Sequence, residues 1–250
     1  DVSVAVFQRA DGAVLLARRP ASKVYAGFWE FPGGKVEAGE TLEQALAREV
    51  EEELGSRVER SHSWITQVFS YPHATVRLHF FRVTAWSGEP RAREHDGLTW
   101  QQPGAIDVAP LLPANGPVLR GLLLPVEYAI SNARGLGVRE FLARLERRLD
   151  QGLRLVQVRE PGWSREQLAD LTTQVIHRAR PRGALVLVNN DTAVAHRTGA
   201  DGVHVTSVQL RTLTDRPDLS WVGASCHDAA QLDAAQRLGA DFAVLGPVAA

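Results

Sequence analysis

The stretch that decides the fold and the chemistry of this 250-residue chain is residues 34–55, GKVEAGETLEQALAREVEEELG. Thr41 belongs to the residue types that cap the first turn of a helix, and Gly55 suits the left-handed residue that ends one. The stretch between them predicts a helix over 41–54. Apolar residues recur every four positions in it and would form one stripe that packs against a sheet: Leu46, Val50 and Leu54.

The same helix carries a concentration of negative charge. Glu49, Glu52 and Glu53 stand at positions i, i+3 and i+4, so they fall within an arc of roughly 100° and point the same way. Three carboxylates on one face repel each other and destabilise an isolated helix. Mg²⁺ removes that penalty, because it is held by carboxylate oxygens together with phosphate oxygens of a substrate. The pattern therefore indicates a metal site for hydrolysis of a diphosphate bridge; a solvated, glutamate-rich helix is the alternative.

The spacing of the whole stretch resembles the Nudix box, Gly-x5-Glu-x7-Arg-Glu-U-x-Glu-Glu-x-Gly-U, in which U is an aliphatic residue. Seven fixed Gly, Glu and Arg positions would coincide by chance in about one in a million chains of this length, given ordinary residue frequencies. The one departure is Ser56, which replaces the last aliphatic residue. This specificity favours a metal site over a solvated helix.

The resemblance implies a role for each matching residue. The implied ligands of Mg²⁺, with Mn²⁺ as an alternative ion, are Glu49, Glu52, Glu53 and the backbone at Gly34. Glu52 and Glu53 would also take part in catalysis, and Arg48 would hold the carboxylates in place. Gly33 would leave the backbone bare where phosphate approaches.

The surroundings of the box resemble the MutT branch of the Nudix family, whose substrate is 8-oxo-dGTP. The likeness spans roughly residues 2–120 and includes GFWEFPGGKVEAGET at 27–41 and LLPANGPVL at 111–119. It implies that Asn115 reads the oxidised purine, a task that suits an amide because it offers both a donor and an acceptor. A simple Asn-Gly turn is the alternative.

Other positions in this region either match the branch or depart from it. Arg19 and Phe31 fall on substrate-contacting positions, although core packing also explains Phe31. Thr99 stands where the branch has a glutamate that acts as metal ligand or base. Because threonine is no base at neutral pH, either Glu53 or Glu94 would activate the water. The pattern favours structural roles for the strand histidines, His73 and His79.

Composition describes an ordinary globular chain, with 44% hydrophobic and 23% charged residues. The net charge of −1 gives no reason to expect binding to nucleic acid or to an anionic membrane. Cys226 is the single cysteine, which excludes an intrachain disulfide and agrees with a cytoplasmic location. No signal peptide or membrane-spanning run is visible, and the sequence is silent on oligomeric state.

The pattern changes near residue 113, and a segment from Pro110 to Pro125 with four prolines and two glycines reads as a linker or turns. Beyond it, helical patterns alternate with six short apolar runs, at 126–130, 153–158, 184–188, 202–205, 221–224 and 242–245. This alternation predicts βαβ units and a parallel sheet. We therefore expect an α/β protein with a Nudix α/β/α sandwich over 1–122. A (β/α)8-type barrel domain, incomplete at its C-terminal end, would follow over 123–250.

The second half resembles thiamine phosphate synthase and its relative TenI. Five segments carry the likeness, at 155–160, 188–191, 199–204, 223–227 and 239–247, each at or near the end of a predicted strand. The synthase's phosphate-facing lysine and two magnesium aspartates are replaced by Pro161, Asn190 and Gln209. We therefore expect no synthase activity. A remaining pocket would involve Arg159, Asn189, His204 and Gly246, for which packing is an equal alternative.

These expectations combine into one leading function. The chain would convert an oxidised purine nucleoside triphosphate, 8-oxo-dGTP, to the monophosphate and pyrophosphate, and so sanitise the nucleotide pool. Two alternatives stay open: a Nudix hydrolase of a thiamine-related or other diphosphate compound, and a ligand-sensing barrel with a catalytically weak Nudix reader.

Overall fold

The computed structural model describes residues 1–247 and divides into two compact units, which meet in sequence between Leu123 and Leu124. The first unit contains seven strands and two α-helices. They are β1 (Val2–Phe7), β2 (Val14–Arg18), β3 (Trp29–Glu30), β4 (Gly33–Lys35), α1 (Leu42–Leu54), β5 (Arg57–Tyr71), β6 (Ala74–Ser87), β7 (Gly97–Gln101) and α2 (Asn115–Leu122).

The strands of the first unit form two sheets. One has the order β4-β1-β6-β5 and is mixed, since β1 runs parallel to β6 and antiparallel to β4. The other has the order β3-β2-β7 and is antiparallel. In the mixed sheet Gly33 lies opposite Val4, and Gly34 lies opposite Ser3. This register sets the two glycines against the first strand, directly before the loop that enters α1.

Helix α1 begins and ends as its sequence predicts. The Thr41 side chain accepts a hydrogen bond from the Gln44 amide, and the Gln44 side chain accepts one from the Thr41 amide. Gly55 closes the helix with a φ of 66°. The apolar stripe is buried against Phe7, Leu15 and Phe81. The helix is therefore fixed both at its ends and along one face.

A second helix covers the opposite face of the sheets. Val118 and Leu119 of α2 pack with Val4, Val6 and Phe80 in a core separate from that of α1. Alternate residues of β1 thus serve the two cores, as the two-residue period of a strand requires. The expected α/β/α sandwich is confirmed.

The segment predicted as a linker or turns instead contains a helix. Helix α2 occupies Asn115–Leu122 within it. Proline is tolerated in the first turn of a helix, where the amide would have no partner within the helix, and Pro117 lies there. Proline count alone was therefore a poor guide.

The second unit contains six strands and five α-helices among its described residues. They are β8 (Ala129–Ile130), α3 (Ala133–Leu136), α4 (Val138–Asp150), β9 (Leu155–Val158), α5 (Arg165–Ala179), β10 (Leu185–Asn189), α6 (Thr192–Thr198), β11 (Gly202–Val205), β12 (Trp221–Cys226), α7 (Ala229–Leu238) and β13 (Phe242–Leu245).

All six strands are parallel and lie side by side in sequence order, from β8 to β13. Strands β9 and β11 are buried at every residue, which is typical of a parallel sheet covered on both faces. Parallel strands in sequence order, joined by helices, agree with the expected (β/α)8-type fold. Among residues 1–247, no helix combines the length and the apolar character needed to cross a bilayer.

Candidate active site

A cavity of about 420 Å³ opens in the first unit, a size typical of small-molecule sites. Segments far apart in sequence line it, and its polar side chains are Arg19, Lys23, Glu30, Glu49, Glu53, Tyr71 and Asn115, among others. Seven residues expected from the sequence line this one cavity: Arg19, Phe31, Gly33, Gly34, Glu49, Glu53 and Asn115. The two expected residues that do not line it are Arg48 and Glu52.

Glu53 lies at the floor of the cavity with only 2% of its surface exposed. Its Oε2 accepts a hydrogen bond of 2.9 Å from the Gly33 amide, and its Oε1 lies 3.3 Å from Lys23 Nζ. Burial raises the pKa of Glu53, an effect opposed by nearby His95, Gly33 and Lys23. The carboxylate is therefore held in one orientation, in surroundings that favour its pairing with a cation.

The two adjacent glycines exclude side chains for different reasons. A Cβ on Gly34 would overlap the carboxylate of Glu49, so glycine lets that carboxylate rest against the bare backbone. Gly33 has a φ of 146°, and a Cβ there would overlap the backbone oxygen of Ser3. The lack of a side chain at Gly34 thus makes room for the Glu49 carboxylate, whereas at Gly33 it allows β4 to pack closely against β1.

Arg48 organises the acidic helix from outside the cavity. Its guanidinium donates to both carboxylate oxygens of Glu40, at 2.8 and 2.9 Å, to Glu49 at 2.9 Å and to the Lys35 carbonyl at 3.0 Å. The hydrogen bond from Arg48 lowers the pKa of Glu40 to about 2. Glu52 lies 3.2 Å from Arg48, and 53% of its side chain is exposed. Arg48 therefore ties the loop before α1 to Glu49.

The donor set suits a hard divalent cation. Glu49 and Glu53 offer carboxylate oxygens to the same cavity, and Gly34 carries no side chain that would cover its own backbone beside Glu49. Mg²⁺ and Mn²⁺ prefer such oxygen ligands and complete their shells with water or substrate phosphate. Within residues 1–247 no three acidic, histidine or cysteine side chains converge into a ready-made metal site. Glu49 and Glu53 are thus the residues of this cavity that would hold such a cation.

Asn115 lies at the first residue of α2 and is only 4% exposed. Its Nδ2 finds no hydrogen-bond partner in the described part of the chain. A buried donor without a partner costs about 1–3 kcal/mol, so a donor that lines a cavity is available to a water or a ligand there. The Asn115 side chain therefore offers a hydrogen bond to whatever fills the cavity.

Aromatic side chains that sequence reasoning did not assign to the site also line the cavity. The Tyr25 and Tyr71 rings lie 5.5 Å apart, and the His73 ring stacks on Tyr71 at 5.6 Å. Tyr25 adopts a φ of 61°, which is unusual outside glycine. His73, for which the sequence favoured a structural role, is among the cavity residues, whereas His79 contacts Thr66 and Asp1. These rings supply a surface suited to a flat base.

A buried histidine separates two carboxylates beside the cavity. His95 Nε2 lies 3.7 Å from Glu30 and 3.8 Å from Glu53, and neither ring nitrogen has a hydrogen-bond partner among residues 1–247. Glu30 is held by Arg19 through two contacts of 2.6 Å. No local sequence signal marked His95 or Lys23, because both come from irregular segments positioned by tertiary packing.

Thr99, which stands where the MutT branch has a glutamate, and Glu94, which could replace that glutamate, have different surroundings. Thr99 lies in β7, opposite Leu16, and its hydroxyl accepts a hydrogen bond from Gln101 at 3.0 Å. Glu94 is exposed, and its carboxylate lies 3.8 Å from Lys23 Nζ. The two candidates for activating water, Glu53 and Glu94, therefore share one lysine.

The expected pocket residues of the second unit have different surroundings. His204 is buried, with Nδ1 3.1 Å from the Tyr128 hydroxyl and Nε2 2.9 Å from Ser225 Oγ. Burial, together with the charge of Arg159, lowers the pKa of His204 to about 4. Arg159 lines a separate cavity of about 530 Å³ beside Glu160.

The other two residues expected in the pocket of the second unit are Asn189 and Gly246. Asn189 is the last residue of β10, and the Gly246 carbonyl contacts His227.

The first unit thus brings two glutamates of one helix, two adjacent glycines and a buried amide to one cavity, an arrangement that suits hydrolysis of phosphoanhydrides. Sequence models of two families agree with the two units. The NUDIX domain matches residues 1–122, and thiamine monophosphate synthase (TMP-TENI) matches residues 127–250. The chain belongs to the Nudix family through its first unit and to the thiamine monophosphate synthase family through its second.

Individual relatives support both assignments. The 8-oxo-dGTP diphosphatase of Haemophilus influenzae is 37% identical over 122 residues, covering 49% of this chain and 90% of that protein. The CTP pyrophosphohydrolase of Escherichia coli is 38% identical over 123 residues, with coverages of 49% and 90%. A putative thiamine-phosphate synthase 2 of Aquifex aeolicus is 33% identical over 127 residues, with coverages of 50% and 68%.

Among solved structures, the MutT NUDIX hydrolase of Burkholderia pseudomallei is similar, with 33% identity, a TM-score of 0.44 and coverages of 47% of this chain and 93% of that one. The first unit is a pyrophosphohydrolase domain.

Proposed function

We propose that the first unit hydrolyses 8-oxo-dGTP to 8-oxo-dGMP and pyrophosphate with bound Mg²⁺. One observation carries this proposal: a single cavity is lined both by the Glu49–Glu53 pair beside Gly34 and by the Asn115 amide, whose Nδ2 has no hydrogen-bond partner within residues 1–247. A polyphosphate would bind, through the metal, to Glu49 and Glu53. A base would contact the rings of Tyr25 and Tyr71 and the Asn115 amide.

The chain's own groups have distinct tasks in this reaction. Glu49, Glu53 and the backbone at Gly34 would hold the metal, which supplies charge neutralisation and an activated water when bound. Glu53, whose carboxylate lines the same cavity, would accept the proton of that water. Arg19, fixed by Glu30, presents its guanidinium to the cavity and would bind a phosphate oxygen.

The base would be read by a hydrogen-bond donor and acceptor together. 8-Oxoguanine differs from guanine in carrying an N–H at position 7 and a carbonyl at position 8. The amide of Asn115 offers a donor and an acceptor, and its Nδ2 is buried and without a partner in the described chain. The name of the Haemophilus influenzae relative agrees with this substrate, whereas the Escherichia coli relative is named for CTP.

A panel of substrates tests the proposal. The full chain, assayed with Mg²⁺ for pyrophosphate or phosphate release, should give its highest kcat/KM with 8-oxo-dGTP, above dGTP, CTP and thiamine diphosphate. Asn115→Ala should lower kcat/KM for 8-oxo-dGTP by about 10- to 100-fold and spare dGTP, since one lost buried contact costs about 1–3 kcal/mol. A higher kcat/KM for CTP or for thiamine diphosphate would overturn the substrate assignment.

The catalytic assignment has its own control. Glu53→Gln keeps a side-chain oxygen for the Gly33 amide but removes the negative charge, so hydrolysis should be lost while the fold remains. Full turnover in this variant would refute the role of Glu53.

We also propose that the second unit lacks synthase activity and that the protein is cytoplasmic, where nucleoside triphosphates are available. Gln209, which replaces a magnesium aspartate, uses its amide internally: Nε2 donates to the Asn190 carbonyl at 3.0 Å, and Oε1 accepts from the Thr206 amide at 3.0 Å. Such an amide is a poor ligand for Mg²⁺ beside a pyrophosphate. Formation of thiamine phosphate by the purified chain would contradict this proposal.

A further inference from the structure

Lysine is rare in this chain and is confined to one place. Of 28 basic residues only Lys23 and Lys35 are lysines, which leaves 26 arginines, and both lysines line the candidate active-site cavity. A lysine ammonium is a compact charge on a flexible stem, whereas an arginine guanidinium is a planar fork. The only compact, mobile cations of the chain therefore face the site that would bind metal and phosphate.

Lys23 faces the Glu53 oxygen that the Gly33 amide does not hold. Its Nζ lies 3.3 Å from Glu53 Oε1 and 3.8 Å from Glu94 Oε2. The other oxygen of Glu53 is taken by the Gly33 amide. A metal ion that binds Glu53 within the cavity must therefore approach the oxygen that the ammonium already faces.

The backbone around Lys23 is fixed, whereas the end of its side chain is not enclosed. The Lys23 amide donates to the Pro20 carbonyl at 3.1 Å, and the Gly27 amide donates to the Arg19 carbonyl at 2.9 Å. The Lys23 side chain is 38% exposed, against 3% for that of Glu53. The ammonium can therefore change partners by side-chain rotation, without movement of the loop.

We propose that Lys23 is a built-in competitor of the metal ion. Its ammonium occupies the position between Glu53 and Glu94 before metal binds, and it transfers to the substrate phosphates when metal takes Glu53. This inference rests on the proposed function, since it assumes that the cavity receives a metal together with a polyphosphate.

The exchange makes metal and nucleotide binding depend on each other. Without nucleotide, metal must displace the ammonium from the buried carboxylate of Glu53, which leaves the ammonium beside the exposed carboxylate of Glu94. With nucleotide present, phosphate oxygens receive it. Because such coupling is reciprocal, each ligand should increase the affinity for the other. Arg48 need not move, because its contacts are to Glu40, Glu49, Glu52 and the Lys35 carbonyl.

Binding of Mn²⁺ to the full chain without nucleotide tests this exchange, with free Mn²⁺ measured by electron paramagnetic resonance. Lys23→Met keeps an unbranched apolar side chain and removes the charge, so Mn²⁺ should bind about tenfold more tightly. Lys35→Met is the matched control. It removes the same charge from the same cavity, but within residues 1–247 the Lys35 ammonium pairs with no carboxylate. Its Mn²⁺ affinity should stay within about twofold of the unmodified chain.

A second measurement observes the unmodified protein, with the two lysine signals assigned from the Lys23→Met and Lys35→Met variants. Lysine labelled with ¹³C at Cε gives two signals in the unmodified protein, because the chain contains two lysines. Mg²⁺ added without nucleotide should shift the Lys23 signal and leave that of Lys35 in place.

The outcomes separate the inference from the function beneath it. Unchanged or weaker Mn²⁺ binding in Lys23→Met, or a Lys23 signal that ignores Mg²⁺ while Mn²⁺ binds, overturns the exchange and leaves the hydrolase intact. If the unmodified chain fails to bind Mn²⁺ even with nucleotide present, the proposed function itself is refuted, and the exchange with it.

Discussion

At the scale of single residues, the two adjacent glycines of β4 should affect different properties of the protein when they are substituted. The Cβ that alanine would add meets the end of a side chain at Gly34 and main-chain atoms at Gly33. A side-chain end can rotate away, whereas a strand in a sheet cannot. Substitution at one position should therefore affect activity, and substitution at the other should affect stability.

Gly34→Ala should lower kcat/KM by about 10- to 100-fold, because it displaces the Glu49 carboxylate from the backbone where metal would bind. The midpoint of thermal unfolding should change little. Gly33→Ala should instead lower the free energy of unfolding by about 1–3 kcal/mol, since its φ of 146° strains any side chain. Kinetics and thermal denaturation of both variants check this contrast; equal loss of stability in the two would contradict it.

His204 gives the second unit a pH dependence that can be measured. Burial lowers the pKa of His204 to about 4 from its ordinary 6.5, so the folded state holds the neutral ring over a range in which the unfolded state is protonated. The contribution of the neutral His204 ring to the free energy of unfolding is complete above pH 6.5 and is lost as the pH falls towards 4. The loss amounts to about 3 kcal/mol.

Urea unfolding of the second unit, followed between pH 7 and pH 4, measures this contribution. His204→Gln keeps polar groups for Tyr128 and Ser225 but does not titrate. The variant should lose less stability over this pH range than the unmodified protein, and an identical pH dependence of the two would argue against a neutral buried imidazole.

At the scale of elements, two helices share the same N-terminal motif in different units. Thr41 with Gln44 begins α1, and Ser164 with Gln167 begins α5, each through reciprocal hydrogen bonds. Thr41→Ala and Ser164→Ala should each cost about 1 kcal/mol of stability. Only the first should lower the temperature at which hydrolysis is lost, because α1 carries Glu49 and Glu53. Thermal inactivation and unfolding curves of both variants distinguish these effects.

Elements with local signals were predictable from the sequence. Helix α1 and the strands of the second unit lie within a few residues of their predicted ranges, because caps and apolar periodicity are local properties. Strand β6 spans Ala74–Ser87 in a long hairpin with β5, a length set by cross-strand pairing and not by a local sequence signal. Helix α2 was missed because its prolines resemble those of a turn.

The residues of the candidate active site also divide into those that a local sequence signal predicts and those that it does not. The acidic residues could be placed from the spacing of α1, and Asn115 from its motif. Lys23, Tyr25 and His95 could not be placed, because they come from segments without period, and only tertiary packing brings them to Glu53 or to the cavity. Arg48 and Glu52 share the helix with Glu53, yet the direction of their side chains keeps both out of the cavity.

At the scale of the whole molecule, each unit has apolar cores of its own. The clusters around α1 and α2 contain residues of the first unit, and the remaining clusters contain residues of the second. The cavity is lined by residues between Val2 and Asn115. The chemistry of the site therefore draws its side chains from one unit.

Residues 1–123 expressed alone should fold and hydrolyse 8-oxo-dGTP, with kcat/KM within about threefold of the full chain, because a complete core generally suffices for independent folding. Circular dichroism and kinetics of the fragment check this expectation. A folded fragment with lost activity would mean that the second unit contributes directly to catalysis.

In α1 the glutamates and the buried apolar stripe keep a fixed angle around one helix axis. A change in the length of this helix should therefore be tolerated as poorly as a change in these residues. One inserted residue between Leu46 and Glu49 would rotate everything downstream by about 100°, turning the glutamates towards the sheet and the anchoring leucine towards water. The exposed turns at 211–220 have no such angle to preserve. Insertions and deletions accepted over evolutionary time should therefore accumulate in such turns and avoid the thirteen residues of this helix.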